Sequence, residues 1–255
     1  MVQGMDQIEG ISIQNIEREM CIEEEGLFGP LIGSDNLWTP AESGGTIQNI
    51  YRVPALGEVC RGKVVKRNRC LFSEIEFLEN EETLLLRAKR SGLNWNILSK
   101  TKEKVAKLSG NLLGSNYTLK HYPSKKEVCC IKYTGLFSES GPRSFQVFID
   151  PLYSSYDKKL TQRLKERSGQ YVKLVNKQPY YNSETNSYVL NFNGRVTLPS
   201  VRNFQIIHPN DTSYITITFG KTGENEYVLD YTYPWCAVDA FGLTLSALGI
   251  KLGCE

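Results

Sequence analysis

The chain has 255 residues, 40% hydrophobic and 23% charged, so it can bury a sizeable core and is not a disordered polymer. Fourteen Tyr, ten Phe and several Val/Ile/Thr-rich segments favour β-structure, while seven Cys with no CxxC pair and only two His argue against a disulfide framework and a zinc site. The net charge of +2 conceals an asymmetry: residues 1–58 carry ten acids against two bases, Arg18 and Arg52, and the remainder carries 28 bases against 18 acids. An acidic leader therefore precedes a basic body suited to an anionic partner.

The N-terminus, MVQGMDQIEG, has neither a basic flank nor an apolar run, so no secretory signal is expected. Residues 1–50 read as an acidic, loosely structured leader, with residues 51–255 as the folded domain. Ile13, Ile16 and Met20 have helical spacing, which predicts one short amphipathic helix over 11–22. Glu23, Glu24 and Glu25 follow at the end where the helix dipole disfavours negative charge, so this helix is marginal without a partner. The Gly- and Pro-rich stretch 26–45 reads as loop.

From Glu58 onward, strand chemistry recurs between turn residues. Strands are expected at 58–65, 71–78, 83–89, 95–98, 115–119, 128–133, 144–149, 171–174, 188–192, 204–207, 214–219 and 226–230. In 214–219 the alternation is clean, with Ile215, Ile217 and Phe219 on one face and Tyr214, Thr216 and Thr218 on the other. Gly220-Lys221-Thr222-Gly223 reads as a hairpin turn, because it lacks the upstream glycine and following helix of a phosphate loop. One helical interruption is expected, at 157–169. Many short strands in series argue for an antiparallel barrel or sandwich.

The C-terminus differs. Pro234 can open a helix, and 235–250 is apolar on every face, with Asp239 its one charge. Such a helix is buried in lipid or in protein. Its sixteen residues span roughly 24 Å, short of the ~30 Å hydrocarbon layer, and Asp239 would add a cost of about 3 kcal/mol there. A closed barrel built from the preceding strands could sheath it.

Several motifs carry a resemblance. Asn191-Phe192-Asn193-Gly194-Arg195-Val196-Thr197, Ser200-Val201-Arg202-Asn203-Phe204-Gln205, Phe219-Gly220-Lys221, Asp230-Tyr231-Thr232-Tyr233-Pro234 and Lys251-Leu252-Gly253-Cys254-Glu255 resemble the C-terminal signatures of the Tubby family. Asn111-Leu112-Leu113-Gly114-Ser115 and Gly141-Pro142-Arg143 match as well, and the resemblance covers about residues 54–255. It implies a mainly β fold, a closed antiparallel twelve-strand barrel around a central hydrophobic C-terminal helix. It also implies a membrane-tethered adaptor, not an enzyme, that recognises phosphatidylinositol 4,5-bisphosphate and needs no cofactor.

By that resemblance the headgroup strand is Leu84-Leu85-Leu86-Arg87-Ala88-Lys89-Arg90. Residues i and i+2 of a strand share a face about 7 Å apart, so Arg87 and Lys89 point the same way, while Leu84, Leu86 and Ala88 face inward. Arg offers a planar fork and Lys a point charge, a pairing suited to two phosphates; a solvated polar face is the plainer alternative. Arg90 follows at the strand end. Where the family has Lys-Leu-Arg-Ser-Asn, this chain has Lys107-Leu108-Ser109-Gly110-Asn111, so Ser109 stands in place of a headgroup Arg and Lys107 is the candidate to compensate. The candidate phosphoinositide-binding residues are thus Arg87, Lys89, Arg90 and Lys107.

Two further basic clusters, Arg61/Lys63/Lys66/Arg67/Arg69 and Lys100/Lys102/Lys104/Lys107, suit an anionic leaflet or nucleic acid, although no nucleic-acid-binding motif accompanies them. Catalytic and metal signals are thin: no GxSxG occurs, and His121 and His208 both read as turn residues. Cys129-Cys130 falls within a strand, one thiol inward and one outward. The leading expectation is a cytoplasmic adaptor, peripheral at the plasma or ciliary membrane, whose leader engages a protein partner such as the ciliary transport complex. The alternatives are a nucleus-associated transcription modulator released from membrane and a scramblase-like lipid-handling protein.

Overall fold

In a pleated strand successive side chains leave on opposite faces, so a strand with one wet face needs an apolar residue at every second position. The computed structural model describes residues 47–69, 72–122, 124–134, 143–150, 158–169 and 171–249. These contain α1 (Ile47–Ile50), β1 (Cys60–Arg69), β2 (Phe72–Glu79), β3 (Thr83–Ser91), β4 (Asn94–Ser99), β5 (Lys104–Gly110), β6 (Asn116–His121), β7 (Glu127–Thr134) and β8 (Ser144–Ile149). There follow α2 (Leu160–Glu166), β9 (Val172–Asn176), β10 (Tyr180–Asn182), β11 (Ser187–Val189), β12 (Phe204–His208), β13 (Asp211–Lys221), β14 (Glu226–Tyr231) and α3 (Ala237–Leu248).

Twelve strands close into one barrel in the order β1-β14-β13-β12-β9-β8-β7-β6-β5-β4-β3-β2, and every pairing is antiparallel. Gly62 of β1 lies opposite Glu79 of β2 on one side and Leu229 of β14 on the other, so the sheet meets itself and leaves no edge to aggregate. β10 and β11 form a separate two-stranded hairpin.

The barrel interior is filled by α3. Residues Ala237 to Ala247 are all buried, as expected of a helix apolar on every face. Phe241 stacks on Phe77 of β2 with ring centroids 5.7 Å apart. Gly242 faces β6 so closely that a Cβ there would come within 2.8 Å of a Leu119 methyl. The polar groups on and just before the helix find barrel partners: Asp239 and His121 share a hydrogen bond of 2.7 Å, Ser246 and Tyr133 one of 2.8 Å, and the Trp235 indole donates to Thr216 Oγ1 at 3.1 Å. Unmatched, each would carry a desolvation cost of about 1–3 kcal/mol. Where the chain enters the barrel, Ile50 is 1% exposed, and the Tyr51 hydroxyl donates to the Val105 carbonyl at 2.9 Å while its ring meets His121 edge-on.

Outside the barrel, α2 lays Leu160 and Leu164 on Cys130 of β7 and Phe148 of β8, with Tyr171 alongside. Two buried charges tie it down: Arg163 pairs with Asp150, and Glu127 accepts from the Thr161 amide at 2.9 Å and the Thr161 hydroxyl at 2.7 Å.

The barrel and its enclosed helix agree with expectation, but four particulars differ. Strand β5 falls where the pattern predicts none, because Val105 and Ala106 are both buried and break the alternation; the register shifts there, with Ile97 opposite Ala106 and Leu98 opposite Lys104. The expected barrel strand at 188–192 is instead the outer arm of the β10–β11 hairpin. Helix α3 starts at Ala237, after Cys236 as N-cap, so Pro234 sits in the preceding turn and does not open it. His121 and His208 end strands β6 and β12 and are buried, not turn residues. Cys129 faces the interior, and the outward Cys130 lies under α2, where burial pushes its thiol up to about 12. The helix expected at 11–22 lies outside the described residues.

Two outcomes follow. Phe241→Ala removes a fully buried ring from the barrel axis and should cost about 3–5 kcal/mol, read by denaturant unfolding. Burial alone would raise the Glu127 carboxyl, but the two Thr161 bonds and Lys120 outweigh it and hold it below its ordinary value. Its contribution is therefore complete above the ordinary carboxylate range and is lost as pH falls through the lower folded value. Glu127→Gln should be less stable than wild type at pH 7, and its melting temperature should fall less between pH 7 and pH 3.

Candidate functional site

The outer face of β3–β6 carries the charge. Inward-facing Leu86, Ala88, Ile97, Ala106, Leu108 and Leu119 are all at 0% exposure and fix this part of the wall against the core. Residues between them must then face solvent. The register sets them in a row: Lys89 of β3 opposite Asn96 of β4, Asn96 opposite Lys107 of β5, and Lys107 opposite Lys120 of β6. Neighbouring strands lie about 4.8 Å apart, so Lys89 and Lys107 are separated by roughly 10 Å with the Asn96 amide between them. A second row, one step towards the barrel rim, is neutral: Ser91, Asn94, Ser109 and Thr118.

Ion pairs divide this surface. Glu74 and Glu76 of β2 are nearly buried, and a buried carboxylate needs a counter-charge. Glu76 takes Arg67 at 2.9 Å and Arg87 at 3.3 Å, and Glu74 lies 3.9 Å from Arg87. At the other edge Lys120 pairs with Glu127 at 3.3 Å. In between, Lys89 and Lys107 make no ion pair among the described residues.

The four expected site residues are therefore not equivalent. Arg87 and Lys89 do share the outer face, but Arg87 is engaged by two carboxylates. Lys89 and Lys107 come together across Asn96. Arg90 falls on the alternation of Leu86 and Ala88, so it turns to the barrel mouth, with its guanidinium 5.8 Å from the Trp95 ring centroid and its Nε donating to the Gly92 carbonyl. Ser109 borders Lys107 on the same face, two residues along β5. Asn96 and Lys120 belong to the row although the sequence did not single them out; only the register of β4–β6 reveals them.

The other basic clusters disperse. On β1, Lys63 pairs with Glu226 at 2.8 Å and Arg67 with Glu76. Lys100 and Lys102 lie in the β4–β5 turn, at the opposite end of the barrel from Ser91, and Lys104 stacks on the Tyr122 ring at 4.6 Å. Among the described residues one group has metal-ligand chemistry: His121, Cys236 and Asp239 place a ring nitrogen, a sulfur and a carboxylate oxygen within 4.8 Å. All three are buried, and the His121–Asp239 bond already joins two of them. No described helix is long and apolar enough to cross a membrane.

Comparison with known proteins decides the family. The sequence pattern of the Tub family matches residues 80–250. The chain belongs to the Tub family. Tubby-related protein 3 of Homo sapiens is 34% identical over 251 residues, covering 81% of this chain and 57% of that protein. Tubby protein homolog 1 of Caenorhabditis briggsae is 38% identical over 178 residues, covering 59% of this chain and 42% of its own length. Protein king tubby of Drosophila pseudoobscura pseudoobscura is 37% identical over 169 residues, covering 58% and 37%. The chain thus spans little more than half, or less, of these relatives.

The signature residues Arg195, Asn203 and Gly220 are architectural. Arg195 is bidentate to Asp230 of β14, with both bonds at 2.7 Å. Asn203 accepts from the Lys221 amide and donates to the Leu198 carbonyl, and a Cβ on Gly220 would strike Val196 at 2.3 Å. They fasten the segment before β12 across β13 and β14, and Arg195 also lies 3.6 Å from Glu81 in the β2–β3 turn. Arg195→Ala, by leaving Asp230 without its fork, should lower the melting temperature by several degrees without altering the Lys89–Lys107 face, read by calorimetry.

Proposed function

We propose that this Tub-family protein is a phosphoinositide-binding adaptor whose headgroup site is the outer face of β3–β5, centred on Lys89, Asn96 and Lys107. The observation that supports the reading is that Lys89 and Lys107 are same-face cations that make no ion pair among the described residues, set about two strand spacings apart, while Arg87 and Lys120 beside them are paired; Glu74, opposite Lys89 in the register, lies 3.9 Å from Arg87. Two ammonium groups and a primary amide can meet a doubly phosphorylated headgroup with charge-assisted bonds. Arg87 is the counter-charge to Glu74 and Glu76 beside the site, and Arg90 contributes from the rim. The preferred ligand on this reading is phosphatidylinositol 4,5-bisphosphate, at the plasma or ciliary membrane. The acidic leader, residues 1–50, links the bound barrel to protein cargo or ciliary transport, and the protein catalyses no reaction.

Calorimetric titration with soluble inositol 1,4,5-trisphosphate tests the site. Lys89→Ala with Lys107→Ala should lower affinity at least tenfold, since each charge-assisted contact contributes about 1.5–3 kcal/mol, less where solvent screens it. Arg87→Ala alone should change affinity less than the lysine pair does. Ser109→Arg places a guanidinium beside Lys107 and should raise affinity. Unchanged binding in the double-lysine variant would move the site to β1, where Arg61 and Lys66 are exposed.

A further inference from the structure

Three exposed leucines stand at one end of the barrel. Leu112 is 73% exposed, Leu113 50% and Leu93 43%. Leu93 lies in the β3–β4 turn, and Leu112 and Leu113 in the β5–β6 turn. Because β3, β4, β5 and β6 are consecutive antiparallel neighbours, both turns project from the same end. The turns also touch: a Cβ on Gly110 would lie 3.2 Å from the Leu93 carbonyl oxygen. The leucines therefore form one apolar tip.

That tip is built. The Gly114 amide donates to the Asn111 carbonyl at 3.0 Å, and Asn111 Oδ1 accepts from the Ser115 and Asn116 amides at 2.8 and 3.0 Å. Asn111 Nδ2 donates to Ser115 Oγ at 2.8 Å, and Gly114 supplies the positive φ (64°) that closes the turn. Leu112 and Leu113 sit at the apex, where neither has an internal partner surface to join. A turn fixed in this way presents apolar side chains at little further ordering cost when they are covered.

The chemistry around the tip selects what covers it. Of the ten Lys and Arg in residues 83–126, Lys100, Lys102, Lys104, Lys125 and Lys126 lie with Glu103 at the opposite end of the barrel, whereas Arg87, Lys89, Arg90, Lys107 and Lys120 stand on the strands below the tip, and of these Arg87 and Lys120 are ion-paired. Lys89 lies two residues below Ser91 and Lys107 three below Gly110, about 7 and 10 Å down the wall from the rim. The polar layer of a bilayer leaflet is about 5–8 Å thick. Leucines seated at its lower boundary would therefore place Lys89 and Lys107 at the height of phosphates that project from it. An apolar tip with Lys89, Lys107 and the rim residue Arg90 on the wall beneath it is the pattern of interfacial membrane binding to anionic lipid.

We propose that Leu93, Leu112 and Leu113 insert into the interfacial layer of an anionic bilayer, seating the barrel end-on while Lys89 and Lys107 engage a headgroup phosphate. The proposal rests on the headgroup reading above and adds a second, apolar component to it. The headgroup alone then accounts for only part of membrane affinity.

The test uses the full chain and two measurements. Vesicles of phosphatidylcholine with phosphatidylinositol 4,5-bisphosphate report membrane affinity, and soluble inositol 1,4,5-trisphosphate reports headgroup affinity. Leu112→Ser with Leu113→Ser should lower vesicle affinity about tenfold or more and leave soluble headgroup affinity within about twofold. Leu113→Trp should shift its emission to the blue on vesicles and not with the soluble headgroup. Unchanged vesicle affinity in the double-serine variant overturns insertion and leaves the headgroup reading standing. Equal loss of soluble headgroup affinity also overturns it, since the leucines would then shape the ligand site. Absence of the blue shift on bound vesicles overturns it too, and assigns the tip to a protein partner. Wild type that binds vesicles in a leucine-dependent way but ignores the soluble headgroup sustains insertion and defeats the headgroup reading.

Discussion

The structure depends on one constraint: a helix apolar on every face must be surrounded. α3 cannot lie on a surface, because no side of it tolerates water, and the barrel closes around it with strands on all sides. Asp239, Thr244 and Ser246 are the exceptions along its length, and each is matched. Asp239 meets His121, Thr244 and Ser246 donate back to the helix carbonyls of Phe241 and Leu243, and Ser246 also meets Tyr133. The polar atoms thus set the position of the helix along the barrel axis, while the apolar ones supply the driving force for enclosure. Strand length, the small residues Gly242 and Ala106, and the covering Tyr51 all serve this arrangement.

Closure has a consequence for the outer surface. A wall whose inner residues are fully buried has little freedom to slide, since a one-residue slip would turn its apolar side chains outward. Lys89, Asn96 and Lys107 are therefore held in register by Leu86, Ala88, Ile97 and Leu108 behind them. Cations on such a wall are preorganised, whereas the same residues on a loop would pay an ordering cost on meeting a ligand. The neighbouring pairs Arg87–Glu76 and Lys120–Glu127 bound this row on either side and leave its centre with net positive charge.

Much of the fold was legible because it is written in alternation and composition: the clean pattern of Tyr214–Phe219 and the all-apolar C-terminal segment each dictate their burial. Where alternation fails, legibility fails. Val105 and Ala106 are consecutive buried residues at a bulge, so β5 lacks a period-two signal and the strand that carries Lys107 and Ser109 shows in the sequence only as part of a basic cluster. The candidate site was half legible for a related reason. Local spacing shows that Arg87 and Lys89 share a face, but only the sheet shows that Glu74 and Glu76 lie beside Arg87 and that Lys107 lies two strands from Lys89. Arg90 could be placed by parity alone, since it follows Leu86 and Ala88 inward. The signature residues between 191 and 234 were the most legible feature and the least informative about ligand chemistry, because Arg195, Asn203 and Gly220 brace β12–β14.

The most direct measurement is nuclear magnetic resonance of the labelled protein titrated with soluble inositol 1,4,5-trisphosphate. The backbone amides of Lys89, Asn96, Lys107 and Ser109 should shift together and saturate along one curve, with α3 and the Arg195–Asp230 region unmoved. Shifts confined to β1, or spread evenly over exposed lysines at both ends of the barrel, would contradict a preorganised headgroup site on β3–β5.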